Sequence, residues 1–123
     1  HTVIAEKVTD NEVLLSASSP DDEALVCAAA HFGWEFKNRK SGTAEIFCQE
    51  TGTLEVYQVL EVLEFTSARK RMSVVVRDPG GRLRVLSKGA DMVMENMLCP
   101  GQEDLWRKTQ AHLTAFAAEY RRN

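Results

Sequence analysis

Short stretches of this chain, such as Trp34-Glu35-Phe36, alternate apolar and polar residues like strands, while others repeat apolar residues at helical spacing. The opening dozen residues are polar and irregular and are expected to form a connecting segment, residues 1–12, after which Val13, Leu14 and Leu15 read as a short strand. Ser18-Ser19-Pro20-Asp21-Asp22 is a helix start. Ser19 can cap, Pro20 suits the first helical position, and Asp21 and Asp22 complement the positive end of the helix dipole. Leu25, Ala28, Ala29 and Phe32 follow at helical spacing and Gly33 stops the helix. Residues 34–36, 44–48, 54–65, 72–77 and 83–87 read as strands, punctuated by Ser41-Gly42, Thr51-Gly52 and Asp78-Pro79-Gly80-Gly81. Within 54–65 the apolar positions change face near residues 58–60, which predicts a bulge or bend there. A helix is expected over 90–98, closed by Pro100-Gly101. A last helix carries Leu105, Thr109, His112, Leu113, Phe116 and Tyr120 on one stripe, with His112 on its buried or half-buried face. Tight hairpin turns favour antiparallel pairing. The expected class is therefore α+β, a single domain with an antiparallel β-sheet of about six strands flanked by helices.

A chain of 123 residues suits one domain with a hydrophobic core. Apolar stretches such as residues 28–30 and 74–76 are far too short to span a bilayer, and His1-Thr2-Val3-Ile4 lacks the basic and apolar regions of a signal peptide. Direct membrane insertion by this piece is not expected. Cys27, Cys48 and Cys99 are widely spaced and odd in number, which suggests reduced thiols, with neither a zinc site nor a disulfide framework.

Charge changes the picture further. Residues 1–65 carry twelve acids and four bases, whereas residues 66–90 carry seven bases (Arg69, Lys70, Arg71, Arg77, Arg82, Arg84 and Lys88) against Asp78 alone. Such a local excess fits either an anionic partner or a solvated basic face on a pair of strands.

The candidate chemistry lies in the same region. At Ser87-Lys88-Gly89-Ala90-Asp91 a strand ends at a lysine, a glycine permits close backbone approach, and a helix begins. Amides at a helix start beside an ammonium form an anion site, although the GxxxxGK[ST] loop is absent. Phe65, next to Thr66 and Ser67 at a strand end, could stack on a base or cap the sheet as a core residue. Arg69, Lys70 and Arg71 would alternate in direction along a strand, so at most two address one ligand. Asp22 reads on spacing as a helix-start acid. His1, His31 and His112 are isolated, and no Ser-His-Asp, Cys-His or paired-carboxylate constellation stands out. Trp34 and Trp106 read as packing residues, and the segment from Arg69 to Lys88 has no aromatic residue for reading RNA bases, so no nucleic-acid partner is expected.

Taken together, SPDDEALV at 19–26, LEFTSARKRMSV at 63–74 and SKGAD at 87–91 resemble the nucleotide-binding (N) domain of P-type ATPases, in the family's order. His1-Thr2-Val3 is similar to the "CHTV" entry string of phospholipid-transporting (flippase) members, and His112-Leu113 with Phe116-Ala117 to their "HL..FA" helix, so the resemblance covers almost the whole chain, residues 1–123. The "EF.S.RKRMSV" run joined to "KGAD" points to the lipid branch, because cation pumps carry a shorter "F...RK.MS" and "KGAPE".

The resemblance implies a set of roles. Phe65 stacks on adenine; Lys88 lies against the nucleotide with Gly89 leaving room for it; Ser67 and Lys70 supply polar contacts; Asp22 meets the adenine edge. Here Asp22 stands where the family has glutamate, with Glu23 one place later. Arg122 falls in register with a phosphate-reaching arginine of the family's "GLRTL" string, but the surrounding residues differ and Arg122 is not counted among the site residues. The phosphorylated aspartate of the family's "DKTGT" string is absent, as are membrane helices, which implies a domain excised from a multi-pass membrane ATPase. By the same resemblance, the substrate is ATP, with Mg2+ held mainly by other domains of the parent. The partners are ATP or ADP, the parent's phosphorylation and actuator domains and an accessory subunit, and the location is the cytosolic face of a membrane. The isolated domain is expected to bind nucleotide without hydrolysing it. Rival readings are a cation-pump N domain, a degenerate interaction module without ATP, and a basic patch binding lipid headgroups or RNA.

Overall fold

A computed structural model describes residues 4–9, 12–16 and 20–122. The elements run β1 (Ile4–Thr9), β2 (Glu12–Ser16), α1 (Pro20–His31), β3 (Trp34–Lys40), β4 (Thr43–Cys48), β5 (Thr53–Leu63), β6 (Arg71–Arg77), β7 (Leu83–Gly89), α2 (Asp91–Glu95) and α3 (Glu103–Arg122). β1 and β2 pair antiparallel, and the other strands form a five-stranded sheet in the order β3-β4-β5-β6-β7. Every sheet neighbour is also a sequence neighbour, as short turns between antiparallel strands require. The α+β class is as expected. The additional strand is β1, in a segment whose polar composition gives no alternating signal and which is held by pairing with β2.

The described residues divide into two compact units. The first holds those up to Glu64 together with Ser73–Ser87, and the second holds Phe65–Met72 and the residues from Lys88 onward. In the first, Val26 of α1, Phe36 of β3 and Ala44 of β4 form the buried cluster, with Ile46 and Val59 packed against it. The residues at helical spacing on α1 are not its buried face: Leu25 is 56% and Phe32 79% exposed, whereas Val26 is 6% exposed. Adjacent helical residues point about 100° apart, so a sheet that seats on Val26 leaves Leu25 to the side. Gly33 ends α1 as expected, with φ +99°, its amide donating to the Ala30 carbonyl. The residue proposed to cap the start, Ser19, lies outside the described residues.

The bulge foreseen in β5 falls at Leu60. Val59 pairs with Val76 and Glu61 with Val75, so Leu60 has no opposite residue. The half-buried positions are 55, 57 and 59 before it and 62 after it, so the side facing inward changes at the bulge, although Leu54 and Val56 are exposed. A second register shift, at Lys37 between Phe36 and Asn38 of β3, has no such sequence signal.

The turn between β6 and β7 is organised by Asp78. Its amide donates to the Arg82 carbonyl at 2.9 Å, and its carbonyl accepts from Gly81, which has φ +86°. Its carboxylate accepts from the Arg82 amide at 2.8 Å and from Arg84 Nε at 2.7 Å. Further along the pair, the hydroxyls of Ser73 and Ser87 share a hydrogen bond of 2.7 Å, and Ser73 is buried.

In the second unit α2 is five residues long, shorter than the stretch 90–98 expected, and continues only as turns in which Met97 and Leu98 donate to Met94 and Glu95. No described residue of α3 is buried. His112, expected on a buried or half-buried face, is exposed and stacks on Phe116 with ring centroids 6.3 Å apart. Amphipathic spacing marks a face able to pack, and the packing itself depends on what lies opposite. Trp106 is half-buried, whereas Trp34 of the first unit is exposed. All three cysteines are free thiols, with Cys48 buried and Cys27 and Cys99 exposed.

The hydrogen bond from Arg84, followed by that from the Arg82 amide, holds the Asp78 carboxyl below its ordinary value of 3.8. A folded pKa below the unfolded one gives a contribution fully present above pH about 4, lost as pH falls through the folded value. Acid titration followed by the Arg82 amide resonance should therefore hold steady from pH 7 to about 4 and move only below it. In Asp78→Asn that low-pH transition should vanish.

Candidate functional site

Five of the six residues singled out in the sequence lie in the second unit: Phe65, Ser67, Lys70, Lys88 and Gly89. β5 ends at Leu63, and the chain leaves the sheet with Phe65 61% exposed. An aromatic ring so open is not a core cap; its face is available to a ligand. Ser67 and Lys70 are also exposed, and Lys88, near the end of β7, is half-buried.

Between Phe65 and β6 the chain makes a turn, and it includes Arg69 and Lys70, which were expected to alternate along a strand. The Lys70 amide donates to the Thr66 carbonyl at 2.7 Å, and the Arg69 amide donates to Thr66 Oγ1 at 3.1 Å. Lys70 has φ +53°, and Arg71 Nη1 reaches back to the Arg69 carbonyl at 3.3 Å. Arg69, Lys70 and Arg71 therefore do not alternate as strand residues: the first two belong to a turn closed by Thr66, and β6 begins at the third. Left-handed backbone is disfavoured for a residue bearing a Cβ, so the neighbours must hold Lys70 there.

Gly89 supplies part of that hold. A Cβ built on it would lie 2.6 Å from the Lys70 carbonyl oxygen, 2.7 Å from Arg71 Cβ and 2.9 Å from Arg71 Cα. The next residue, Ala90, donates its amide to the same Lys70 carbonyl at 3.1 Å. The side of Gly89 that a Cβ would take is thus filled by the chain's own backbone, and the glycine joins the end of β7 to the turn. The anion site expected from helix-start amides is also altered. Ala90 donates to Lys70, Met92 donates to Asp91 Oδ1 at 2.8 Å, and α2 is too short for a sizeable dipole. The positive charge in this unit is therefore that of its side chains, Lys70 and Lys88 among them.

Asp22 belongs to the first unit, half-buried in the first turn of α1 beside Asp21 and Glu23. That placement agrees with its reading as an acid at a helix start. Thr66 and Ala90, which sequence reasoning passed over, fix the turn. The Thr-Ser pair at a strand end was the available signal, since a hydroxyl there can accept from a later amide. Nothing in sequence announces the bond from Ala90, which joins residues twenty positions apart.

Residues 4–99 match the family described as P-type ATPase, cytoplasmic domain N. The chain belongs to this family. Among similar curated proteins are the human "Probable phospholipid-transporting ATPase IM", 45% identical over 119 residues, and the Xenopus tropicalis "Phospholipid-transporting ATPase IC", 47% identical over 117. The Saccharomyces cerevisiae "Phospholipid-transporting ATPase DRS2" is 39% identical over 119 residues. These alignments cover 97%, 95% and 97% of this chain and 10%, 9% and 9% of the respective relatives. The chain thus spans about a tenth of the length of the curated relatives it matches. In this P-type ATPase domain, no helix among the described residues is long and apolar enough to cross a membrane.

The glycine crossing makes a sharp prediction. Gly89→Ala should destabilise the fold by about 1–3 kcal/mol, because backbone and Cβ atoms on the other side cannot swing away. Lys70→Gly should leave stability unchanged or raise it by up to about 1 kcal/mol, since relief of a left-handed residue offsets the entropy of glycine. Urea unfolding of both variants against the parent sequence checks the opposite signs.

Proposed function

We propose that this chain is the ATP-binding part of a phospholipid-transporting P-type ATPase, and that it presents the γ-phosphate to a phosphorylatable aspartate on another domain of its parent. The observation carrying this reading is the exposed Phe65 leading into a turn that bears Ser67 and Lys70, tied at Lys70 to Gly89 and thus beside Lys88. The phospholipid branch is supported by the names of relatives 39–47% identical to the chain and by the Lys88-Gly89-Ala90-Asp91 wording.

The chemistry assigned to each residue follows from its group. The Phe65 face stacks on adenine, worth about 1–3 kcal/mol by analogy with base–aromatic stacking. Lys70 and Lys88 offer ammonium donors to phosphate or ribose oxygens, and Ser67 a hydroxyl. Gly89 acts through the crossing that holds Lys88 and the turn together. Asp22 is assigned to the adenine edge, where it is one methylene shorter than the family's glutamate.

Phosphoryl transfer depends mainly on positioning and charge stabilisation. The chain's part is to hold the adenosine end while other domains supply the acceptor. By the family resemblance, Mg2+ is assigned mainly to other domains of the parent. The parent would work with this domain on the cytosolic side of a membrane, beside its phosphorylation and actuator domains and with an accessory subunit.

One stacked ring and one or two charge-assisted contacts at an open site sum to roughly 4–6 kcal/mol, or about millimolar to tens of micromolar. A second reading, a degenerate module without nucleotide, draws on the Asp22 replacement, since a poorly met contact costs about 1–3 kcal/mol. NMR titration of the labelled chain separates the two. Saturable shifts around Phe65, Ser67, Lys70 and Lys88, alike for ATP and ADP, insensitive to magnesium and lost in Phe65→Ala and Lys88→Ala, are the expected result. A silent titration to several millimolar would leave the degenerate module. Salt-sensitive binding that survives Phe65→Ala would instead indicate a basic patch.

A further inference from the structure

Several supports of the turn carrying Ser67 and Lys70 can be named. Its amides at Arg69 and Lys70 both terminate on Thr66, one on the hydroxyl at 3.1 Å and one on the carbonyl at 2.7 Å. Its far end is held by Ala90, whose amide donates to the Lys70 carbonyl, and by the contact that Gly89 permits. Lys70 meanwhile sits in the left-handed region, so releasing one support frees the backbone to return to commoner angles. Among the backbone amides of the turn, the bond to the Thr66 hydroxyl is the one that a side-chain substitution can remove without disturbing the backbone; Arg71 Nη1, at 3.3 Å from the Arg69 carbonyl, braces the turn from outside it.

Building on the nucleotide-site reading above, we infer that Thr66 is a positioning residue for that site: its hydroxyl accepts the Arg69 amide and so fixes the direction in which the turn presents Ser67 and Lys70 beside Phe65. Thr66 does not itself need to touch the nucleotide. Three features separate this role from general folding. Thr66 is exposed, so its removal opens no cavity. Its hydroxyl bond spans three residues and joins no two strands or helices. Finally, the turn contributes no member to the buried cluster of Val26, Phe36 and Ala44. What the hydroxyl changes is the population of one turn conformation, and a ligand sees that as a fraction of competent molecules.

The experiment is an ATP titration of the labelled chain in wild type, Thr66→Val, Thr66→Ala, Thr66→Ser and, as a control, Thr51→Val. The control deletes a comparable exposed hydroxyl whose bond, to Thr53 Oγ1 at 2.7 Å, lies in the turn before β5. Loss of one exposed hydrogen bond predicts ATP binding about three- to tenfold weaker in both Thr66→Val and Thr66→Ala. Thr66→Ser, which keeps the hydroxyl, should bind within about twofold of wild type, and Thr51→Val likewise. The Arg69 amide resonance of the nucleotide-free chain should move in Val and Ala and be restored in Ser, while urea midpoints stay together. Wild-type affinity in Thr66→Val or Thr66→Ala overturns the inference, as does failure of Thr66→Ser to rescue. A wild-type chain that binds no ATP overturns instead the site reading on which the inference rests.

Discussion

Only a hydrogen atom fits between the Cα of Gly89 and the backbone of Lys70 and Arg71. The arrangement of the candidate site follows from that constraint. Because the end of β7 and the start of β6 approach so closely, the Ala90 amide reaches the Lys70 carbonyl, and Lys70 is held at a positive φ. Once Lys70 is left-handed, the four preceding residues must close a turn, and Thr66 accepts both amides that the turn would otherwise leave to water. Phe65, at the mouth of that turn, is carried off the sheet into solvent. A substitution at Gly89 therefore acts on every proposed ligand contact in the unit at once.

The supports are mostly exposed, and exposed hydrogen bonds exchange readily with water. Segments held mainly by exposed backbone hydrogen bonds open more readily than core elements, and binding loops are commonly drawn from them. A ligand that stacks on Phe65 and meets Lys70 or Lys88 would gain only a modest surplus after ordering these side chains. Weak binding at an open site is what the proposed role, holding a nucleotide and then releasing it, would call for.

Much of the fold was legible because its signals are local. The Asp78 turn, the glycine stop at Gly33 and the Leu60 bulge each leave a mark within a few residues: a Pro-Gly-Gly run, a helix followed by glycine, a change of apolar face. Pairwise packing left weaker marks. β1 needs its partner β2 to be a strand, and the inward face of α1 is set by where the sheet presses on Val26 rather than by the stripe of Leu25 and Phe32. At the site, the residue types were readable, but the conformation joining them was not. The turn at Lys70 is stabilised by Gly89 and Ala90, some twenty residues later, and the segment alone reads as strand.

The basic segment can now be divided by what each charge does. Arg84 bonds the Asp78 carboxylate and Arg77 donates to the Gly81 carbonyl at 3.1 Å, so these two guanidinium groups brace the hairpin between β6 and β7. Arg82 contributes its amide to the same turn. Arg71 is turned back on the Arg69 carbonyl at the base of the site loop. The excess of positive charge seen in sequence is thus two groups with different purposes, one structural and one, comprising Arg69, Lys70, Arg71 and Lys88, gathered in the unit that holds Phe65. A solvated basic strand face and an anion-attracting site were alternatives when the segment was read as one run. Divided this way, the hairpin arginines follow the first description, and the proposed attraction for a phosphate-bearing ligand would rest on the charges that share a unit with the exposed ring of Phe65.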